Sequence, residues 1–285
     1  MKIAFIGTGV MGNSIVRHLL QAGHKVTIHT RTRIKAENLI KEGAAWADTS
    51  GQAVKEAETV FTMVGYPEDV EEVYFSDLGI LRHAKEGAAL IDLTTSQPLL
   101  AQRIAEEAKN RGMHAMDAPV SGGDIGARNG TLSIMIGGEK SEFDRLYPVF
   151  ELFGGNIVYQ GPAGAGQHTK MCNQITIAST MIGVCESLVY ARKAGLDPET
   201  VLRSISTGAA GSWSLSNLVP RMIEEDFQPG FYIKHFIKDM KIAADEAERL
   251  GLKLPGLRLS LSMYEELAEK GYSENGTQAL IRHYD

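Results

Sequence analysis

Short apolar runs alternate with amphipathic stretches through the first half of the chain. Residues 3–6 are continuously apolar and stop at Gly7. Residues 12–21 then place Ile15, Val16, Leu19 and Leu20 at helical spacing, and Ala22-Gly23 closes that helix. The β-branched stretch Lys25–His29 reads as a strand and residues 34–42 as a second helix. Further strands are expected at 59–64, 89–93 and 113–117, with helical stretches between them, and again at 133–137 and 156–160. Strand and helix alternating at this spacing predict a parallel sheet with crossover helices, the doubly wound class.

After Gly161-Pro162 the strand signals fade. Residues 166–193 contain no proline and carry Ile175, Ile177, Met181, Ile182, Val184 and Leu188. They predict one helix of roughly 28 residues, about 42 Å long, apolar on more than one face. Such a helix belongs at a domain or subunit interface, and a homodimer or homotetramer is expected on that ground. Pro198 behind Asp197 opens the next helix, and 239–250 and 257–270 also read as helices. The expected organisation is an α/β doubly wound parallel-sheet domain over residues 1–161, followed by an all-α domain over residues 162–285 and linked to it by the long helix.

Composition narrows the function classes. The 285 residues suit two domains, and the net charge of −6 leaves neither half with a basic excess. Nucleic acid is therefore not an expected partner, although a few placed Arg and Lys residues could still hold a small anion. Cys172 and Cys185 on one helix would lie about 20 Å apart along its axis, too far to pair, which fits a reducing compartment. The first residues show no cationic leader or cleavage pattern, and no run of about 18 apolar residues is evident. A soluble, cytoplasmic protein without a membrane partner is expected.

Gly7-Thr8-Gly9-Val10-Met11-Gly12 is G-x-G-x-x-G, placed directly between the first strand and the first helix. The first glycine permits the tight turn, the second lets a pyrophosphate approach the backbone, and the third allows close helix-strand packing. The helix N-terminus adds N–H donors and positive dipole. This is the Rossmann-type dinucleotide fingerprint in its proper context. An NAD enzyme usually ends the second strand in a carboxylate for the ribose hydroxyls. Here the stretch is His29-Thr30-Arg31-Thr32-Arg33, which offers donors to a 2′-phosphate instead. NADP(H) is expected in preference to NAD(H).

Further motifs follow in order. Asp117-Ala118-Pro119-Val120-Ser121-Gly122-Gly123 runs on through Ala127, Gly130-Thr131-Leu132 and Met135 to Gly137-Gly138. Gly164-Ala165-Gly166-Gln167-His168-Thr169-Lys170-Met171-Cys172-Asn173 comes next, then Lys238-Asp239-Met240. With the glycine loop, these four motifs closely resemble the β-hydroxyacid dehydrogenase family along essentially the whole chain. That family includes 3-hydroxyisobutyrate dehydrogenases and the tartronate, glyoxylate and succinic semialdehyde reductases. The resemblance implies interconversion of a short 3-hydroxy acid and its semialdehyde, without a metal, on a small carboxylate substrate.

It also implies roles. Ser121, Gly122 and Gly123 would cradle the carboxylate, a task suited to a hydroxyl and two open backbone N–H groups. Lys170 would be the general acid and base; Gly166, Lys170, Asn173 and Gln174 share one helical face. Asn173, Gln174, Phe231 and Asp239 would hold substrate, with residues 211–216 as a further wall. Val64, Gly65, Thr95 and Lys238 would line the cofactor with Gly7–Gly12 residues and with Thr30, Arg31 and Thr32. The pattern departs from the family at Gln174, where a second Asn is usual. Three alternatives are weaker. An imine reductase generally lacks the lysine, a 6-phosphogluconate dehydrogenase has a longer helical domain, and a non-catalytic NADP-binding regulator has no need of Lys170.

Overall fold

Among the described residues, 1–284, nine strands join one sheet in the computed structural model. They are β1 (Lys2–Ile6), β2 (Lys25–His29), β3 (Ala45–Trp46), β4 (Thr59–Thr62), β5 (Ala89–Asp92), β6 (His114–Asp117), β7 (Val120–Ser121), β8 (Leu132–Gly137) and β9 (Gly154–Gly161). Their order is β3-β2-β1-β4-β5-β6-β8-β7, with β9 also paired to β8. Neighbours from β3 to β6 are parallel, β8 runs antiparallel to β6 and β7, and β9 is parallel to β8. This is the doubly wound domain that strand-helix alternation predicts.

Side chains of successive residues leave a strand on opposite faces, and β1 shows both cores at once. Ile3 and Phe5 pack with Ile15, Phe61, Phe150 and Phe153, while Ala4 and Ile6 pack with Val60, Tyr74 and Leu90. Phe61 meets the edges of Phe150 and Phe153 at 6.2 and 5.8 Å, an arrangement that aromatic quadrupoles favour. Register then fixes what the sheet presents at its end. Ile6 pairs with His29 and Thr62, Thr62 with Asp92, and Asp92 with Asp117. The carboxyl ends of five strands thus form one row, the edge at which open α/β sheets bind ligands.

The chain divides into two compact units, Met1–Lys170 and Met171–Asp285. The long helix, Ala165–Lys193, starts in the first and continues in the second. It is long and apolar enough, by length and composition, to cross a membrane, which exceeds the expectation from the sequence. In the second unit its Met181, Cys185 and Leu188 pack with Phe236, Met240 and Tyr264 in a helical core. Cys172 is exposed and Cys185 buried, both free. Burial pushes the Cys185 thiol up to about 12, so it stays protonated and unreactive. Asp197 caps the helix that Pro198 opens, accepting from the Thr200 N–H at 2.9 Å.

Several element boundaries differ from those expected. The second helix is a 3-10 turn, Arg33–Ala36, followed by the short helix Glu37–Lys41, and the first helix starts at Val10 rather than residue 12. The two-residue strands β3 and β7 are too short to leave a pattern. The helix expected from residue 239 spans Ile233–Arg249. The last long helix ends at Leu267 and passes into a π turn, Ala268–Tyr272, where Gly271 takes φ +92°.

Candidate active site

The three glycines of the loop between β1 and the first helix do different work. Gly7 has φ +97°, and an added Cβ would lie 2.1 Å from the Met63 carbonyl oxygen. At Gly12 an added Cβ would lie 2.2 Å from the Gly7 carbonyl oxygen. Both positions are closed to any side chain by the fold itself. Gly9 is open, with nothing within 4 Å of an added Cβ. It precedes Val10–Gln21, whose first turn has no acidic residue and no side-chain cap, so its leading N–H groups face outward without a carboxylate. Val10 is exposed and Met11 half-buried, while the buried Thr8 hydroxyl has no hydrogen-bond partner. An unobstructed backbone, uncapped donors and an orphaned hydroxyl fit a dinucleotide pyrophosphate.

Beyond β2, Thr30 is half-buried, and Arg31 and Thr32 are exposed. The Arg31 guanidinium donates to Asp69 Oδ1 at 2.8 Å. Asp69 also accepts from the Tyr66 N–H at 3.1 Å, in the capping box that opens the helix Pro67–Phe75. Its Oδ2 would lie 3.1 Å from a Cβ at Gly65, which places the carboxylate beside the Val64-Gly65 turn. Sequence reasoning missed Asp69; the signal available was Tyr66-Pro67 with an acid two residues after the proline.

The end of β5 is tied down on two sides. Thr94 donates its N–H to Asp92 Oδ1 at 3.0 Å and accepts the Val64 N–H on Oγ1, also at 3.0 Å. Thr95 is half-buried. The fully buried Gln167 accepts from the Ser96 N–H at 2.9 Å and donates to the Thr94 carbonyl at 2.7 Å. Asp117, at the end of β6, accepts the N–H groups of Gly164 and Gln167, each at 2.7 Å. A carboxylate thereby satisfies donors at the start of the long helix. Burial holds this carboxyl above the usual carboxylate range, although those N–H groups pull the other way. At Gly166 an added Cβ would lie 2.3 Å from the Met135 carbonyl oxygen, so only glycine lets the helix begin this close to the sheet. One turn further on, Lys170 is 6% exposed.

Ser121-Gly122-Gly123 forms a strand-to-helix junction rather than a plain turn. Ser121 ends β7 opposite Ser133, and Gly122 and Gly123 take φ +129° and +63° before the helix Gly123–Asn129. Ser121 is half-buried and Gly122 exposed, leaving a hydroxyl and the backbone of two glycines accessible.

In the second unit, Asn173 donates to Gln174 Oε1 at 2.7 Å, and Gln174 donates to Asp239 Oδ2 at 2.6 Å. Lys238 Nζ lies 3.0 Å from Asp239 Oδ1. Asp239 therefore sits buried in a helix interior within an ionic and amide relay, because the helix expected from residue 239 starts earlier, at Ile233. Phe231 is half-buried against Phe236, their ring centroids 5.6 Å apart. Trp213, in the proposed wall, is exposed.

A family model for the NAD binding domain of 6-phosphogluconate dehydrogenase matches residues 2–161. A second, for NAD-binding of NADP-dependent 3-hydroxyisobutyrate dehydrogenase, matches residues 164–284. The chain belongs to the β-hydroxyacid dehydrogenase family. As a β-hydroxyacid dehydrogenase it is an NAD(P)-dependent oxidoreductase acting on CH–OH groups. It is 61% identical to the uncharacterized oxidoreductase YkwC of Bacillus subtilis over 98% of this chain and 97% of that one. To the 2-hydroxy-3-oxopropionate reductase of Escherichia coli it is 38% identical, over 99% and 96% of the two chains. Among solved structures, 3-hydroxyisobutyrate dehydrogenase of Mycobacterium tuberculosis with L-serine aligns at TM-score 0.92 and 31% identity, over 99% and 98%.

Proposed function

We propose that this β-hydroxyacid dehydrogenase interconverts a short 3-hydroxy acid and its semialdehyde, of the 3-hydroxyisobutyrate type, with NADP(H) preferred. The observation that carries the reading is Lys170, a buried amine one turn into a helix whose start is fastened to the strand ends. The nicotinamide, when bound, supplies the hydride. Lys170 handles the proton: its ammonium gives one to the developing alkoxide during reduction, and its neutral form takes one from the hydroxyl during oxidation. Ser121, Gly122 and Gly123 hold the carboxylate, which fixes the carbonyl relative to Lys170 and limits its freedom to rotate. Asn173 lies three residues along the same helix face from Lys170 and is a candidate for a further polar contact.

The L-serine bound by the Mycobacterium tuberculosis relative is itself a short 3-hydroxy acid, which supports the size and class of substrate. The Escherichia coli relative, a 2-hydroxy-3-oxopropionate reductase, favours a second reading of the same chemistry. In it the substrate is tartronate semialdehyde, with glyoxylate and succinic semialdehyde as variants. Arg31 supports NADP(H): its guanidinium is exposed and already accommodates one oxyanion, that of Asp69.

A panel of short semialdehydes, followed by loss of NADPH absorbance and repeated with NADH, tests the proposal. Rapid turnover of at least one member with NADPH is expected. Arg31→Ala should lower kcat/KM for NADPH about 10- to 100-fold, the worth of one charge-assisted hydrogen bond, and leave NADH within threefold. A tenfold wild-type preference for NADH would overturn the cofactor assignment, and no turnover across the panel would overturn the substrate class.

A further inference from the structure

We propose that Gln167 is a positioning residue that sets Lys170 in register with the Thr95 segment; this rests on the role given to Lys170 above. Thr94 and Ser96 lie past the end of β5, where no strand pairs with them. Gln167 takes the strand's place. Its Oε1 accepts from Ser96 N–H and its Nε2 donates to the Thr94 carbonyl. These are the two bonds that a residue of a parallel neighbour would make across Thr95. The carboxamide thus acts as one extra peptide group of the sheet, carried on the helix. Its own N–H is held by Asp117 Oδ2 at 2.7 Å, so both ends of the residue are fixed.

Lys170 follows three residues later, about one turn on. The path from the Thr95 backbone to the Lys170 Cα therefore crosses two hydrogen bonds, the Gln167 side chain held at both ends, and one helical turn. A side chain needed only to fill space here could be apolar; a buried amide with both ends used defines an orientation. Small misplacements of a proton donor reduce turnover more than they reduce binding.

The test compares wild type, Gln167→Met, Gln167→Glu, Lys170→Ala and the Gln167→Met/Lys170→Ala double variant. Turnover is measured at saturating NADPH with a semialdehyde that the wild type reduces, and NADPH affinity by fluorescence titration. Gln167→Met keeps the length and loses both bonds. It should lower kcat about 30-fold or more while the NADPH Kd stays within about threefold. Because Gln167 acts through Lys170, the double variant should turn over within about threefold of Lys170→Ala alone.

Gln167→Glu supplies a readout that general destabilisation does not. A neutral carboxylic acid can accept from Ser96 and donate to Thr94, whereas the ionised form cannot donate. The charged groups around the position are Asp117, which holds the residue's own N–H, Asp92, which holds the Thr94 N–H, and Lys170 one turn on. Burial and the two carboxylates raise the pKa of a glutamate placed there. Its kcat relative to wild type should therefore rise about tenfold or more between pH 8.5 and pH 6. A flat ratio overturns the inference, and decides it alone if Gln167→Met does not fold. So does a Gln167→Met enzyme within threefold of wild type, or one whose loss multiplies onto that of Lys170→Ala. Retained turnover in Lys170→Ala would instead overturn the underlying reading, whatever Gln167→Met shows.

Discussion

Lys170→Ala is expected to lower kcat about 10²- to 10⁴-fold, the usual worth of a positioned general acid, and to leave the NADPH Kd within a few-fold. The asymmetry follows from where the residue lies. Lys170 is buried at the start of the long helix, away in sequence from the glycine loop proposed to take the pyrophosphate. Removing its amine deletes a proton source without opening the dinucleotide cradle. Lys170→Arg is the informative companion. Arginine keeps the positive charge but does not release a proton near neutral pH, so substrate affinity should recover further than turnover. Stopped-flow reduction and equilibrium titration measure the two quantities separately. Turnover within threefold of wild type in Lys170→Ala would remove the residue from the chemistry.

The second large effect is expected at Gly9. Its backbone lies at φ −67° and ψ −168°, a conformation open to any residue, and an added methyl would meet no protein atom within 4 Å. Gly9→Ala should consequently keep its folding stability to within about 1 kcal/mol. On the proposed reading, the same methyl would occupy the space through which a pyrophosphate approaches the backbone N–H groups. Dinucleotide affinity should fall about 10- to 100-fold, equivalent to about 1.4–2.7 kcal/mol. Thermal denaturation and cofactor titration on one preparation read both halves. Gly7→Ala and Gly12→Ala provide the contrast, since their added carbons would collide with backbone oxygens at 2.1 and 2.2 Å; they should lose stability before affinity can be measured. Unchanged affinity in a stable Gly9→Ala protein would mean that the loop is structural only.

The contrast among these glycines shows what a sequence can reveal. G-x-G-x-x-G gives each glycine a role but not the atoms behind it, the Met63 carbonyl oxygen at Gly7 and the Gly7 carbonyl oxygen at Gly12. Thr59–Thr62 and Ala89–Asp92 were legible as short buried runs bounded by turns, and Lys25–His29 as a β-branched stretch. β3 and β7, two residues each, are too short to establish any period. The early start of Ile233–Arg249 was visible in Ile233, Phe236, Ile237 and Met240, which lie at helical spacing, but the Lys238-Asp239 motif drew the boundary to itself. The glycine loop, Ser121-Gly122-Gly123 and the segment around Lys170 are readable as candidate sites because each is a local motif. Asp69, and the bonds from Gln167 to Thr94 and Ser96, depend on folding that joins residues 38, 73 and 71 positions apart from their partners. No local pattern encodes them.

The Asp117 carboxylate has a consequence for how the start of the long helix is protected. Long helices commonly fray from their ends, and their terminal amides exchange quickly with solvent. Here the Gly164 and Gln167 amides are held by a side chain 47 and 50 positions back in the chain, on β6. These amides are freed only when their bonds to Asp117 break. The Gly164 and Gln167 amides should therefore exchange slowly with solvent although they lie at a helix terminus.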